Sequence, residues 1–123
     1  MKKTISKDKN IGKISLLTTE ERNAVLEFTE RLRKRFGSMI KEIILFGSKV
    51  RGESDRASDI DILIVLTKLS WETKKSISEL AAEENLKHNV IISTIRYDEN
   101  TWENPVVKSS PFCKTVREEG IWL

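Results

Sequence analysis

At 123 residues the chain has the size of one domain, long enough to bury a core that needs no disulfide or structural metal to hold it. Charged residues make up 33% of it, yet 22 basic and 19 acidic side chains leave a net charge of only +3. The two signs are interleaved, so nothing here demands a nucleic-acid partner, and the slight basic excess fits a nucleotide ligand and an ordinary surface equally well. The single cysteine, Cys113, excludes an internal disulfide and has no second Cys or nearby His with which to build a metal site, which points to a reducing, cytoplasmic setting. Behind Met1-Lys2-Lys3 the apolar run Ile14 to Leu17 is too short for a signal h-region or a membrane span, so no membrane association is expected.

Residues 1–17 carry five lysines with little apolar periodicity and read as a mobile tail, with the domain proper over 18–123. Thr18 followed three residues later by Glu21 is a capping-box start. Val25, Phe28, Leu32 and Phe36 then recur at helical spacing up to Gly37, a C-terminal stop. Ile43 to Phe46, ending at Gly47, and Ile60 to Leu66, interrupted only by Asp61, are short apolar runs that read as buried strands. Ser48 to Ser58 between them has loop composition with room for one helical turn.

A second amphipathic helix is expected from about Ser70 to Leu86 with Trp71, Ile77, Leu80 and Ala81 turned inward, followed by a third strand over Val90 to Ile95. A last helix starts at Ser110-Pro111, where proline suits the first helical position, and stops at Gly120. The order of elements implies an α+β fold, a small mixed β-sheet flanked by helices that lie largely on one face. His88, the only histidine, reads as a surface or capping residue; Trp71, Trp102 and Trp122 read as core or partner-facing aromatics; and Arg31, Arg33, Lys34 and Arg35 read as a solvated helix face.

The chemistry concentrates at two places. Strand residues alternate sides, so Asp59 and Asp61 project from one face about 6 to 7 Å apart. Two acids at the mouth of an apolar strand repel each other and lose hydration, and magnesium, which takes one or two protein carboxylates together with substrate phosphates, is the natural compensation. Across the loop Gly47 leaves room for a phosphate to approach the backbone and Ser48 offers a hydroxyl and an amide; Lys49 and Arg51 follow, and either one could neutralise a triphosphate. A Gly-Ser turn alone is commonplace, and Asp61 could instead pair with Arg51 or Arg56. An acid inside an otherwise apolar strand is nevertheless the kind of local inconsistency that marks a functional site.

Leu45-Phe46-Gly47-Ser48, ten intervening residues, then Asp59-Ile60-Asp61 and an apolar strand resemble the minimal nucleotidyltransferases (MNT) of the DNA polymerase β superfamily, with Arg51-Gly52 and Ser58-Asp59 also in the family's pattern. The segment from Ser110 to Ile121 looks like the terminal helix of these proteins, so the resemblance covers about residues 20 to 123. It implies a nucleotidyltransferase-like fold in which Asp59 and Asp61 hold magnesium on a nucleoside triphosphate, ATP by preference, while Gly47 and Ser48 contact its phosphates. It also implies transfer of AMP to a protein hydroxyl, with a separately encoded helical HEPN-type protein as partner, as in toxin-antitoxin pairs whose antitoxin is the MNT member. The family's third carboxylate, expected on the next strand, has no counterpart within Val90 to Ile95, where Ser93 and Thr94 are the polar groups and Asp98 and Glu99 follow. The alternative is therefore a nucleotide-binding partner protein, catalytically weak or inactive, that regulates a helical protein.

Overall fold

The computed structural model describes residues 16–53 and 58–123. The expected tail over 1–17 and Arg56 fall wholly or mostly outside them, although Leu17, at the start of the described chain, is buried in the core. Helix α1 spans Thr19–Phe36. Its capping box is complete: the Glu21 amide donates to Thr18 Oγ1 at 3.1 Å and the Thr18 amide donates to Glu21 Oε1 at 2.8 Å, which satisfies two donors that a helix start leaves over. Gly37 closes the helix at φ 53°, a conformation open to glycine at little cost.

A short 3-10 turn, Gly37–Met39, leads into β1, Ile40–Phe46. The chain then passes through the one-turn helix α2, Ser48–Arg51, to β2, Ile60–Leu66. Helix α3, Trp71–His88, starts on the Ser70 hydroxyl and ends at Asn89, whose φ of 54° is the left-handed value asparagine tolerates. Strand β3 is Ile92–Asp98, starting and ending later than the sequence suggests. Asn85 Oδ1 accepts from the Ile92 amide at 2.8 Å and so fixes where pairing begins. Two short helices follow, α4 over Glu99–Glu103 and α5 over Pro105–Lys108, then α6, Pro111–Glu119, and β4, Ile121–Trp122.

The strands lie in the order β3-β2-β1-β4. β1 is antiparallel to both β2 and β4, and β2 is parallel to β3, which makes the sheet mixed, as expected. β2 is central and apolar on both faces. Ile60, Ile62, Ile64 and Leu66 join the core beneath α1 and α3, together with Phe28, Leu32, Ile77 and Leu80. Leu63 and Val65 join a second core on the other face with Ile44, Trp102, Cys113 and Val116. The expectation of helices largely on one face thus holds for the two long helices, whereas the C-terminal helices cover the opposite face. Trp71 is corrected: it is 71% exposed at the first turn of α3, under the Lys75 ammonium, 5.4 Å from its ring centre. The inward stripe of that helix begins at Thr73 and Ile77 instead.

Polar residues also cross between α1 and α3. Arg31 reaches Glu83, and the Lys87 ammonium lies 2.7 and 2.9 Å from the two carboxylate oxygens of Glu27. His88, expected as a surface or capping residue, turns its Nε2 into this interface, 3.8 Å from Glu27 and 4.0 Å from the fully buried Glu84. Burial, and then the neighbouring Glu27 carboxylate, push the Glu84 carboxyl up to about 7. Among the described residues no helix is long and apolar enough to cross a membrane.

Trp102 anchors the second core. It is fully buried, its ring lies 5.2 Å from Tyr97, and the Arg117 guanidinium stacks 4.4 Å from the ring centre while donating to the Trp102 carbonyl at 3.1 Å. Trp102→Ala should lower the unfolding free energy by about 3 to 5 kcal/mol, measured by urea titration, because the vacated space cannot be refilled from the short helices around it.

Candidate active site

Asp61 is the second residue of a strand hydrogen-bonded on both sides, so its neighbours are fixed by register. It lies opposite Phe46 at the end of β1 and beside Ser93 on β3. Paired residues share a face. Asp61 therefore belongs to the face that carries Leu63, Val65 and the C-terminal helices, not the face under α1 and α3. Phe46 stands edge-on to Phe112 of α6, with ring centres 5.6 Å apart, and puts an aromatic wall beside the carboxylate. Asp59 sits two residues earlier, just ahead of β2, and is exposed.

The electrostatics of the two acids differ. Burial, and then the Asp59 carboxylate, raise the Asp61 carboxyl above the usual aspartate range; Arg51 opposes part of that rise. Among the described residues no basic side chain lies within ion-pair distance of Asp59 or Asp61. Arg51, the candidate structural partner, turns to Glu53 at 3.2 Å and to Glu119 at 3.4 Å. A half-buried acid that repels its neighbour and has no described counter-ion is short of positive charge. Oxygen donors in that condition suit a hard divalent cation, so the residues present fit the metal that the sequence implies.

Gly47 joins the two halves. Its φ of 86° admits side chains only with strain, and a β-carbon there would overlap the Asp61 carboxylate, lying 3.2 Å from Cγ. The glycine is thus needed on this chain's own account, to let the end of β1 pack against Asp61. It also begins α2, and the leading amides of any helix lack partners within the helix. Ser48 is the first residue of that turn and is half-buried.

The remaining two candidates separate sharply. Lys49 is 4% exposed, and its ammonium is ion-paired with Glu21, the carboxylate of the α1 capping box. It ties the one-turn helix to the start of α1. Arg51 is more than a third exposed, and its charge is felt at Asp61. The structure therefore brings Asp61, Gly47, Ser48 and Arg51 to one place, leaves Asp59 exposed at its rim, and turns Lys49 toward α1. Glu21 had no functional signal beyond its capping position. Asp98, a possible stand-in for the missing acid, pairs with Leu66 at the far end of β2 and caps α4, its Oδ1 accepting from the Thr101 amide at 2.8 Å. Glu99 is exposed beyond it.

Comparison with known proteins identifies the family and the fold. The nucleotidyltransferase domain family matches residues 25–123, and the chain belongs to that family. A protein of Methanocaldococcus jannaschii named "Putative protein adenylyltransferase" is 36% identical over 100 residues, covering 81% of this chain and 94% of that protein. A Thermococcus cleftensis protein, "Protein adenylyltransferase MntA", is 46% identical over 52 residues, 42% of this chain and half of that one. Among solved structures, one described as a toxin-antitoxin with AMP-PNP superposes with a TM-score of 0.55 at 21% identity over 85% of this chain and 72% of that one, a likeness of fold.

If the Gly47–Asp61 contact is what demands glycine, the two positions must be energetically coupled. Gly47→Ala should destabilise the protein less in an Asp61→Ala background than in the wild type. A double-mutant cycle read by urea unfolding should return a coupling of about 0.5 to 3 kcal/mol, whereas a coupling near zero would leave backbone strain as the whole reason for the glycine.

Proposed function

We propose that the chain transfers AMP from ATP to a hydroxyl of a protein acceptor, as the MNT antitoxin of a two-component toxin-antitoxin pair whose other member is a helical HEPN-type protein. The observation that carries this reading is the half-buried Asp61 carboxylate, raised by burial and Asp59, without a described counter-ion and packed against the Gly47–Ser48 turn. Family membership supports the transfer chemistry, and the names of the relatives support a protein acceptor. The toxin-antitoxin likeness supports the fold to which such a partner would bind.

In this reading Asp59 and Asp61 hold a magnesium ion, which offsets the charge of the triphosphate and of the leaving pyrophosphate. The Gly47 and Ser48 backbone and the Ser48 hydroxyl align the phosphate chain, and Arg51 swings from Glu53 and Glu119 to add positive charge. Lys49 acts at one remove by fixing α2 to α1 through Glu21. The acceptor oxygen forms a bond to the α-phosphorus as the bond to the β-phosphate oxygen breaks; pyrophosphate departs and the hydroxyl proton passes to solvent. The Phe46–Phe112 pair keeps one side of the reacting centre apolar.

Label distinguishes this reaction from kinase chemistry. With ATP labelled at the α-phosphate, magnesium and the product of the neighbouring gene, the acceptor should become labelled, and γ-labelled ATP should leave it unlabelled. Asp59→Ala combined with Asp61→Ala should reduce labelling by about 10²-fold or more while the circular dichroism spectrum is preserved. Labelling that persists in the double variant would reject the site.

The second reading, a nucleotide-binding regulator with little turnover, is favoured by one observation: the β3 residue beside Asp61 is Ser93, and the strand's only acid is distant Asp98. The register makes a direct test available. Ser93→Asp adds a carboxylate on the face of Asp61, and Thr94→Asp adds one beside Ile62 on the opposite face. Ser93→Asp should increase a weak native labelling rate, within the roughly 10²- to 10⁴-fold that a positioned base can supply, and Thr94→Asp should not. Fast wild-type transfer that Ser93→Asp lowers would mean that another group already fills this role.

A further inference from the structure

We propose that Glu27 of α1 and Glu84 and His88 of α3 form a second cation site, for a divalent transition metal of the zinc type, which clamps the two long helices together on the sheet face opposite Asp61. The ligand atoms of the three residues all lie within 4.8 Å of one another. Glu84 and His88 are one helical turn apart and present their groups to the same neighbour, Glu27, across the α1–α3 interface.

The observation that points to a ligand is the state of the buried atoms. Glu84 has no exposed surface and, like the His88 Nε2 that faces it, no hydrogen bond of ordinary geometry; without an ion, a protonated Glu84 can only share its proton with Glu27, and a metal would take that proton's place. A buried carboxylate and a buried imidazole nitrogen left without partners are costly, and they are common where an ion belongs. The surrounding cations offset the charge of the site only in part. Arg31 gives its closer contact to Glu83 and stands 3.8 Å from Glu84, while Lys87 is largely exposed and binds the outer carboxylate, Glu27.

The chemistry of the donors selects the metal. Two carboxylates with one imidazole suit zinc and its neighbours, whereas magnesium and calcium prefer oxygen alone. Ligands about 2.0 to 2.1 Å from a tetrahedral centre are about 3.4 Å apart. The present separations from His88 Nε2, 3.8 Å to Glu27 and 4.0 Å to Glu84, therefore need a contraction of about half an ångström, within the reach of side-chain adjustment. His88 also lines a cleft of about 350 Å³ together with Thr18, Glu21, Ser58 and Asn89.

The site is independent of the nucleotide reading, and so is its test. Tag-free protein stripped with chelator is titrated with Co²⁺, followed by its visible absorption, and with Zn²⁺, followed by the thermal midpoint. One equivalent of Co²⁺ should bind with a spectrum of oxygen and nitrogen ligands, Zn²⁺ should raise the midpoint, and both effects should survive in the Asp59→Ala, Asp61→Ala double variant. Since losing even a group that merely orients a ligand weakens metal sites about 10- to 100-fold, Glu84→Gln and His88→Gln should each weaken binding about 100-fold or more. Glu27→Gln, at a more exposed position, provides a third variant should either of the others fold poorly, and the metal-free midpoint of each reports folding separately. Absence of saturable binding, binding unchanged in all three variants, or binding lost in the Asp59/Asp61 double variant would overturn the proposal.

Discussion

A carboxylate placed inside a buried strand is the constraint from which the rest of this active face follows. Asp61 interrupts an apolar run that is otherwise sealed on both sides, and it can sit there because its neighbours make allowance for it. The preceding strand must end in a residue with no side chain. The chain must then turn away with a positive φ and begin a new helical turn. Gly47 and Ser48 meet both demands. The glycine at which a phosphate is proposed to approach is thus also the residue that accommodates Asp61.

The anchoring of α2 shows how the fold supports that turn. A helix of four residues has little stability of its own, since nucleation costs more than one turn returns. Here Lys49 buries its charge against Glu21, and Val50 packs into the core beneath α1. Glu21 already completes the capping box with Thr18. One carboxylate therefore serves both the start of the first helix and the attachment of the one-turn helix α2. Removing either partner of a buried pair leaves an uncompensated charge, so alignment at Ser48 depends on a residue far from it in sequence.

Local signals carried much of the fold. The Thr18–Glu21 spacing, the glycine stop at Gly37, the Ser110-Pro111 start and the two apolar runs of the central hairpin each express a short-range rule, and the elements lie where those rules put them. What was illegible depended on tertiary partners. The late start of β3 is set by Asn85 reaching Ile92. The two-residue β4 exists only because β1 has a free edge. Trp102 owes its burial to the meeting of Tyr97, Arg117 and the far face of the sheet. At the site, the spacing of Gly47-Ser48 and Asp59-x-Asp61 was readable, but the choice between Lys49 and Arg51 was not, because it rests on a partner 28 positions away. The inward turn of His88 Nε2 was illegible for the same reason. Glu84 could have been found, since it continues the inward stripe of Ile77, Leu80 and Ala81, where an acid is out of place.

The central position of β2 also has a consequence for motion. Its amides are enclosed by β1 and β3, and its side chains by a core on each face, so their exchange with solvent requires opening of the whole domain rather than local fraying. Asp61 is carried near the beginning of this enclosed strand. Asp59, two residues earlier, lies beyond its last protected pair and is free to sample solvent. The two acids thus differ in how firmly the sheet holds them, Asp61 within the strand and Asp59 exposed ahead of it. A pair of that kind can hold its position against the sheet while accepting ligands that arrive, rearrange and leave on a much shorter timescale than the strand itself opens.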